Sequence, residues 1–233
     1  MAQIAGVDGC PGGWLIVTLD TETASISADI FPTAQQLVAH NPFLAAMAID
    51  MPIGLPQSGR RRCDELAKEL LGNRHMCVFY APTRDAVLAP SRIAASTLLE
   101  RGVTVQEWEI YSKINNLDIA MNPAHQRWCF EVHPELCFCS WNGGVAIQHK
   151  KSSPEGHQAR EQLIDTHWPM HRAAVYQQLA ENERIKANHF ANDDVNDAFA
   201  CLWSAQRILD QSAERIPERP DLDPRGLRME IWY

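Results

Sequence analysis

The most informative residues are acidic side chains that directly follow short apolar runs. Three such runs end at a carboxylate, which is Asp8 after residues 4–7, Asp50 after residues 44–49, and Glu131 after residues 128–130, with Glu135 just beyond. Short apolar runs bounded by Gly and Pro predict buried strands. Because ligands bind at the carboxyl ends of the strands in open α/β sheets, we expect these acids to share one edge of a sheet.

Several carboxylates at one edge would disfavour each other's ionisation unless a cation neutralised them. Oxygen-only ligands suit Mg²⁺ or Mn²⁺. The acids therefore predict a catalytic site that binds one of these cations.

A late helix over residues 193–209 adds further acids, because Asp193, Asp194 and Asp197 fall at positions i, i+1 and i+4. Acids in a first turn commonly cap a helix and complement its dipole. That interpretation suits Asp193 better than Asp197, which lies a turn further in. We therefore expect Asp194 or Asp197 to be a third metal ligand beside Asp8 and Asp50.

The other candidates have an ordinary structural interpretation as well. Asp8 could be a hairpin-turn acid, and Asp50 could hydrogen-bond the turn that follows it. If the strand at 128–133 continues, Glu131, His133 and Glu135 point to the same side and form a catalytic or metal-binding row. A single structural histidine between exposed glutamates is the alternative.

Basic residues near these segments are candidates for binding a substrate phosphate. They are Arg62 in the cluster 60–62, Lys151 in the cluster 149–151, Lys113 within a predicted helix, and His133. Most charge clusters only face solvent, so this is the second of two interpretations.

The order of predicted elements favours an α/β fold with a mixed sheet. Strands are predicted at 4–8, 14–19, 24–31, 44–50 and 128–133, and helices at 33–40, 64–71, 91–101, 106–121, 154–167, 171–180 and 193–209. The turn at 9–13 predicts a hairpin between the first two strands. The helix crossover predicts that strands one and four are parallel neighbours. Residues of about 56–125 would form a helical insertion between strands four and five.

Composition restricts the partners. The net charge of −8 counts against tight, non-specific duplex binding. No apolar run reaches the ~20 residues of a membrane span, and the start lacks the basic region of a signal peptide, so we expect a cytoplasmic protein without membrane contact. Seven cysteines, an odd number, favour reduced thiols. No sequence pattern predicts the oligomeric state.

These motifs together resemble a known family. Residues 6–14, 49–55, 62–64, 131–135 and 193–198 occur in the order of the domain-of-unknown-function family four-two-nine, a group of predicted nucleases with a ribonuclease H-like fold. The resemblance also covers residues 113–114, 150–151 and 230–233, and so nearly the whole chain. It implies one ribonuclease H-like domain over residues 1–233.

In ribonuclease H-like nucleases, acids on strand one, strand four and a late helix hold two metal ions. The resemblance gives this role to Asp8, Asp50 and Asp194 or Asp197, with Glu131 or Glu135 joining from strand five. The layout is similar to that of Holliday-junction resolvases, although those carry a basic surface that this acidic chain lacks.

Three functions remain open at this point. The first is a metal-dependent nuclease or phosphodiesterase that uses two cations and acts on nucleic acid or a small phosphodiester. The second is a phosphotransferase similar to sugar and acetate kinases, in which the glycine turn after strand one holds phosphate; such kinases need a second copy of the fold, which this chain lacks. The third is a non-catalytic protein that binds a nucleotide or a metal.

Overall fold

A five-stranded mixed sheet with strand order β3-β2-β1-β4-β5 forms the centre of the protein. The computed structural model describes residues 2–233. The strands of this sheet are β1 (Gln3–Cys10), β2 (Gly13–Asp20), β3 (Ile26–Phe31), β4 (Ala46–Ile49) and β5 (Cys129–Glu131). A separate two-stranded sheet pairs β6 (Arg215–Leu222) with β7 (Arg228–Trp232).

Helices cover both faces of the central sheet. They are α1 (Ala34–His40), α2 (Arg62–Leu71), α3 (Arg84–Val87), α4 (Arg92–Leu98), α5 (Val105–Ala120), α6 (Pro134–Trp141), α7 (Pro154–His167), α8 (His171–Glu181) and α9 (Asn192–Leu209). Helices α2 to α5 all lie between β4 and β5 in the chain. None of the helices in residues 2–233 has the length and apolarity needed to cross a membrane.

The predicted hairpin of β1 and β2 is confirmed, with Cys10 opposite Gly13 across a two-residue turn. Gly13 has a φ of +133°, and a Cβ there would lie 2.2 Å from the carbonyl oxygen of Phe31. The turn therefore requires glycine at this position.

The parallel pairing of β1 with β4 is also confirmed, with Val7 opposite Ile49. Strand β5 pairs in parallel with β4 and brings Glu131 opposite Ile49. Asp50 follows Ile49, and its amide still donates to the carbonyl of Val7 at 2.9 Å. The carboxyl ends of the three strands thus meet at one edge, as the sequence predicts.

Successive side chains along each strand point to opposite faces of the sheet, so the core has two layers, one on each face. Ala5, Val7 and Ile49 point toward α1 and α5, where they pack with Leu37 and Ile114. Ile4, Ala46 and Ala48 point the other way and pack with Phe199 and Leu202 of α9. Because side chains alternate, Asp8 and Asp50 continue the rows that face α9.

The prediction for strand five is wrong beyond Glu131. Pro134 begins α6, and His133 is its N-cap, whose Nδ1 accepts a hydrogen bond from the Glu135 amide at 3.3 Å. Pro at the first helical position has a φ suited to a helix and no amide to leave unpaired. The proposed strand row of Glu131, His133 and Glu135 therefore does not exist.

Other boundaries also differ from the predictions. No strand is predicted in the Pro-rich segment 217–224, but it forms most of β6, which pairs with β7. An edge strand tolerates proline because one side of it needs no donors. The helix expected at 91–101 ends at Leu98, since Glu100 adopts a φ of +51°.

Candidate functional site

Helix α9 approaches β1 closely enough to bring acids from the two elements together. The contact is made at Gly6, where a Cβ would lie 2.0 Å from the carbonyl oxygen of Ala198 and 2.2 Å from the amide nitrogen of Leu202. Only glycine allows the helix and strand backbones to come this near. Asp197 precedes Ala198, so this contact places it beside the end of β1.

Asp8 lies at the centre of the acidic cluster, which we define as Asp8, Asp50, Asp194 and Asp197. It is 7% exposed. Burial raises its pKa well above the usual value, and the negative charges of Asp50, Asp197 and Asp194 raise it further in that order. Its Oδ1 accepts a hydrogen bond from the Gly9 amide at 2.7 Å. The structure therefore brings together four of the acids predicted from sequence.

Asp50 is half-buried and has no hydrogen bond to its carboxylate from any of residues 2–233. Burial raises its pKa to about 8, with Asp197 as the second cause. A cavity of about 20 Å³ adjoins it and is lined in part by Arg61, Phe79 and His133. This volume accommodates roughly one water-sized sphere.

The two acids of α9 have different partners. Asp194 is partly explained by capping, because its Oδ2 accepts from the Ala191 amide at 2.7 Å. Burial nevertheless raises its pKa to about 6. Asp197 is 3% exposed, and its Oδ2 lies 2.8 Å from the Nζ of Lys151. Capping thus accounts for part of the role of Asp194, whereas Asp197 caps nothing within residues 2–233 and pairs with Lys151.

Glu131 reaches the same edge but is already bound to Arg61. Its Oε1 accepts from Arg61 NH2 at 2.6 Å, and its Oε2 accepts from the Ile53 amide at 2.6 Å. Arg61 is 2% exposed and also pairs with Asp64. Glu131 therefore fixes the loop after β4, and both of its oxygens are occupied.

Glu135 is likewise occupied by arginine. It forms an ion pair with the buried Arg160 of α7, and Arg74 NH2 lies 3.5 Å from its Oε2. Glu135 also contributes to the raised pKa of Asp50, so it is close to the cluster. Through its ion pair with Arg160, Glu135 links α6 to α7.

The predicted basic residues are distributed unevenly around the cluster. Lys151 contacts it directly, and burial lowers the pKa of the half-buried His133 nearby. Lys113 donates to the carbonyls of Cys10 and Gly13 at 2.7 and 2.8 Å, which stabilises the hairpin turn. Arg62 has a 50% exposed side chain paired with Glu65 and Glu69 on the surface of α2.

Sequence reasoning missed the buried arginines Arg61 and Arg160. The triple 60–62 marks a cluster, but nothing in its composition shows that Arg61 turns inward while Arg62 faces solvent. Arg160 lies in a helix whose acidic residues are exposed at Glu155 and Asp165 and half-buried at Glu161. The buried acids Glu131 and Glu135 were the signal available, since a buried carboxylate needs a partner.

The donor set of the cluster fits a hard divalent cation by its chemistry, because it consists of carboxylates alone. No three His, Cys, Asp or Glu side chains within residues 2–233 are gathered closely enough to hold a metal ion as they stand. The seven cysteines are unpaired thiols and none of them joins the cluster. The candidate ligands thus lie at one edge of the sheet and do not form a coordination shell within residues 2–233.

The glycine turn between β1 and β2 offers little to a phosphate. The Gly12 amide donates to the carbonyl of His189 at 2.7 Å. A Cβ on Gly12 would lie 2.7 Å from the Cβ of His189, so this residue covers the turn. The ammonium of Lys113 takes the carbonyls on the other side.

Comparison with known proteins gives one match. No curated protein matches the chain, and no solved structure does. A family model described as "Protein of unknown function (DUF429)" matches residues 6–222. This span includes every member of the acidic cluster and Lys151. The chain therefore belongs to the DUF429 family.

Proposed function

We propose that the protein is a divalent-cation-dependent phosphodiester hydrolase, with nucleic acid or a small phosphodiester as substrate and Mg²⁺ or Mn²⁺ as cofactor. A single domain of ribonuclease H-like fold is part of this proposal. The observation that carries it is the convergence of desolvated carboxylates from β1, from the end of β4 and from α9. The charges of Asp50, Asp194 and Asp197 raise the pKa of Asp8, and the charge of Asp197 raises that of Asp50.

This arrangement costs stability without a cation, which is typical of a functional site. Asp8 and Asp50 would hold the ion, together with Asp194 or Asp197. A bound divalent ion supplies a water of lowered pKa and stabilises the charge that develops on the phosphate. Lys151 supplies a fixed positive charge at the same edge, which attracts an anionic substrate toward the acids.

The structure disfavours phosphotransfer of the sugar-kinase type. That chemistry needs free backbone amides at the glycine turn after β1. The amide of Gly12 is occupied and His189 covers the turn. The strand-end carboxylates favour hydrolysis instead.

The test is Mn²⁺-dependent cleavage of DNA, RNA and chromogenic diesters. Asp50→Asn keeps the side-chain shape and removes the charge that holds the ion, so we expect at least a ~100-fold loss of rate. Asp221→Asn is the matched control, because Asp221 is exposed on β6. This variant should cleave the substrates at the wild-type rate. Equal rates in wild type and Asp50→Asn would remove Asp50 from the site. A wild type that binds Mn²⁺ and cleaves nothing would favour the binding-protein alternative.

A further inference from the structure

Lys151 places an ammonium group against Asp197 of the acidic cluster, and the lysine side chain is 49% exposed. Its Nζ lies 2.8 Å from Oδ2 of Asp197 and 3.9 Å from Oδ2 of Asp193. An ammonium and a carboxylate at 2.8 Å form a charge-assisted hydrogen bond, so Lys151 and Asp197 are an ion pair. One carboxylate of the cluster is therefore already neutralised by a cation that belongs to the chain.

The backbone holds Lys151 in this place. The carbonyl of Lys150 accepts from the Ser153 amide at 2.9 Å, and Ser153 in turn caps α7 by accepting from the Gly156 amide at 3.1 Å. A Cβ on Gly156 would lie 1.9 Å from the oxygen of Lys150. The segment before α7 is thus packed against the helix start, and the lysine approaches Asp197 from a fixed position.

The remaining carboxylates differ from Asp197. Asp8 is more than nine-tenths buried, and only its Oδ1 is hydrogen-bonded within residues 2–233. Asp50 has no such bond at all. Two-cation sites place their ions about 3.5–4 Å apart with carboxylates shared between them. A second divalent ion on Asp197 would sit against the Lys151 ammonium, and like charges at that separation repel.

We infer that this site takes one divalent cation per chain, on the side of Asp8 and Asp50, and that the Lys151 ammonium stands where a second ion would bind. The inference rests on the proposed function and specifies one cation in place of the two that the resemblance to ribonuclease H-like nucleases implies. A lysine in this position donates hydrogen bonds to a phosphate oxygen and neutralises part of its charge. It keeps Asp197 compensated when no metal is bound.

The experiment is to titrate Mn²⁺ into the whole protein by calorimetry, with free Mn²⁺ counted by its electron spin resonance signal. We expect one ion per chain in the wild type and two in Lys151→Met, because removal of the ammonium frees Asp197. Lys151→Gln keeps a hydrogen-bond donor for Asp197 and should also bind two, which covers a failure of the methionine variant to fold. Lys150→Met is the matched control and should bind one.

Two ions in the wild type would overturn the inference and leave the proposed hydrolase in place. One ion in wild type and in both Lys151 variants would also overturn it, since the lysine would then exclude nothing. Absence of Mn²⁺ binding in all folded variants would overturn the proposed function and the inference with it. One ion in the wild type and two in either Lys151 variant would establish the lysine as the second cation.

Discussion

Two carboxylates at the same edge of the sheet, Asp50 and Glu131, have opposite surroundings. Asp50 has no hydrogen bond to its carboxylate from residues 2–233, and burial raises its pKa to about 8. Glu131 has both oxygens bound, to Arg61 and to the Ile53 amide. Burial raises the pKa of Glu131 to about 7, and Arg61 opposes this rise. Both acids lie at the end of a strand, so the difference between them is the arginine partner. Asp50, which has none within residues 2–233, is a candidate ligand, and Glu131, which is bound to Arg61, is a positioning residue.

Glu131→Gln should therefore lower the free energy of unfolding. It leaves Asp64 as the remaining carboxylate partner of the buried Arg61 guanidinium and weakens the contact of residue 131 with the loop after β4. Breaking a buried ion pair costs about 3 kcal/mol. Urea denaturation at neutral pH measures the change.

Glu65→Gln is the control, because its pair with Arg62 has side chains that are 37% and 50% exposed. A surface pair contributes about 0–1 kcal/mol, so this variant should match the wild type. If the two variants lost equal stability, the buried network of Arg61 would have no special role in fixing the site.

At the scale of elements, the contact between α9 and β1 assembles the acidic cluster. The row of β1 that faces α9 has Ile4, Gly6 and Asp8, and the helix crosses at Gly6. Asp8 comes two residues after this crossing on the strand, and Asp197 immediately precedes Ala198 on the helix. One glycine thus sets the separation of acids that lie far apart in the sequence.

Gly6→Ala should destabilise the protein and weaken cation binding together. The new methyl group would overlap backbone atoms of Ala198 and Leu202, which cannot move without shifting the helix. Overpacking of this kind costs about 3 kcal/mol or more. Thermal melting and Mn²⁺ calorimetry follow the two effects.

Gly102→Ala serves as the control, since nothing lies within 4 Å of the added Cβ. Its melting temperature and Mn²⁺ affinity should equal those of the wild type. Unchanged Mn²⁺ affinity in a folded Gly6→Ala protein would show that α9 contributes no ligand.

For the whole molecule, the buried acids link the charge of the site to global stability. The pKa values of Asp8, Asp50 and Asp194 are all raised, with burial as the first cause of each. In the unfolded chain, aspartate titrates near its ordinary value of about 3.9. Between that value and the raised pKa, the folded protein holds more protons than the unfolded chain. Stability must then fall as pH rises.

We expect the metal-free protein to lose stability between about pH 6.5 and about pH 8.5. The pKa of Asp50, about 8, lies in this window, as does that of Glu131, about 7. The loss should be at least ~1.4 kcal/mol, equivalent to one pKa unit. Urea denaturation at several pH values with a chelator present measures it.

Asp50→Asn should flatten this pH dependence and raise the melting temperature at the alkaline end, because it removes one charge that the fold disfavours. Saturating Mn²⁺ should flatten it in the wild type. A wild-type stability that rises over the same range would mean that the acids are not in mutual repulsion.

The sequence by itself determined the elements of the central sheet and the edge at which its acids lie. Apolar runs bounded by glycine and proline are local signals, and the hairpin turn and the helix crossover fix the directions of β1, β2 and β4. The positions of Asp8 and Asp50 follow from these rules. The acids of α9 were identified by spacing alone.

Only the tertiary structure decided which acids have partners. Arg61 lies between two exposed arginines in sequence, and Arg160 is followed by the half-buried Glu161. The burial of both arginines depends on contacts with distant elements. Helix α6 was not predicted, because only two residues separate it from the end of β5 and the strand and helix signals overlap there. An ion pair depends on which side chains the fold brings together, and these partners are distant in sequence. The sequence therefore could not predict the pairs Glu131 with Arg61, Glu135 with Arg160, and Asp197 with Lys151.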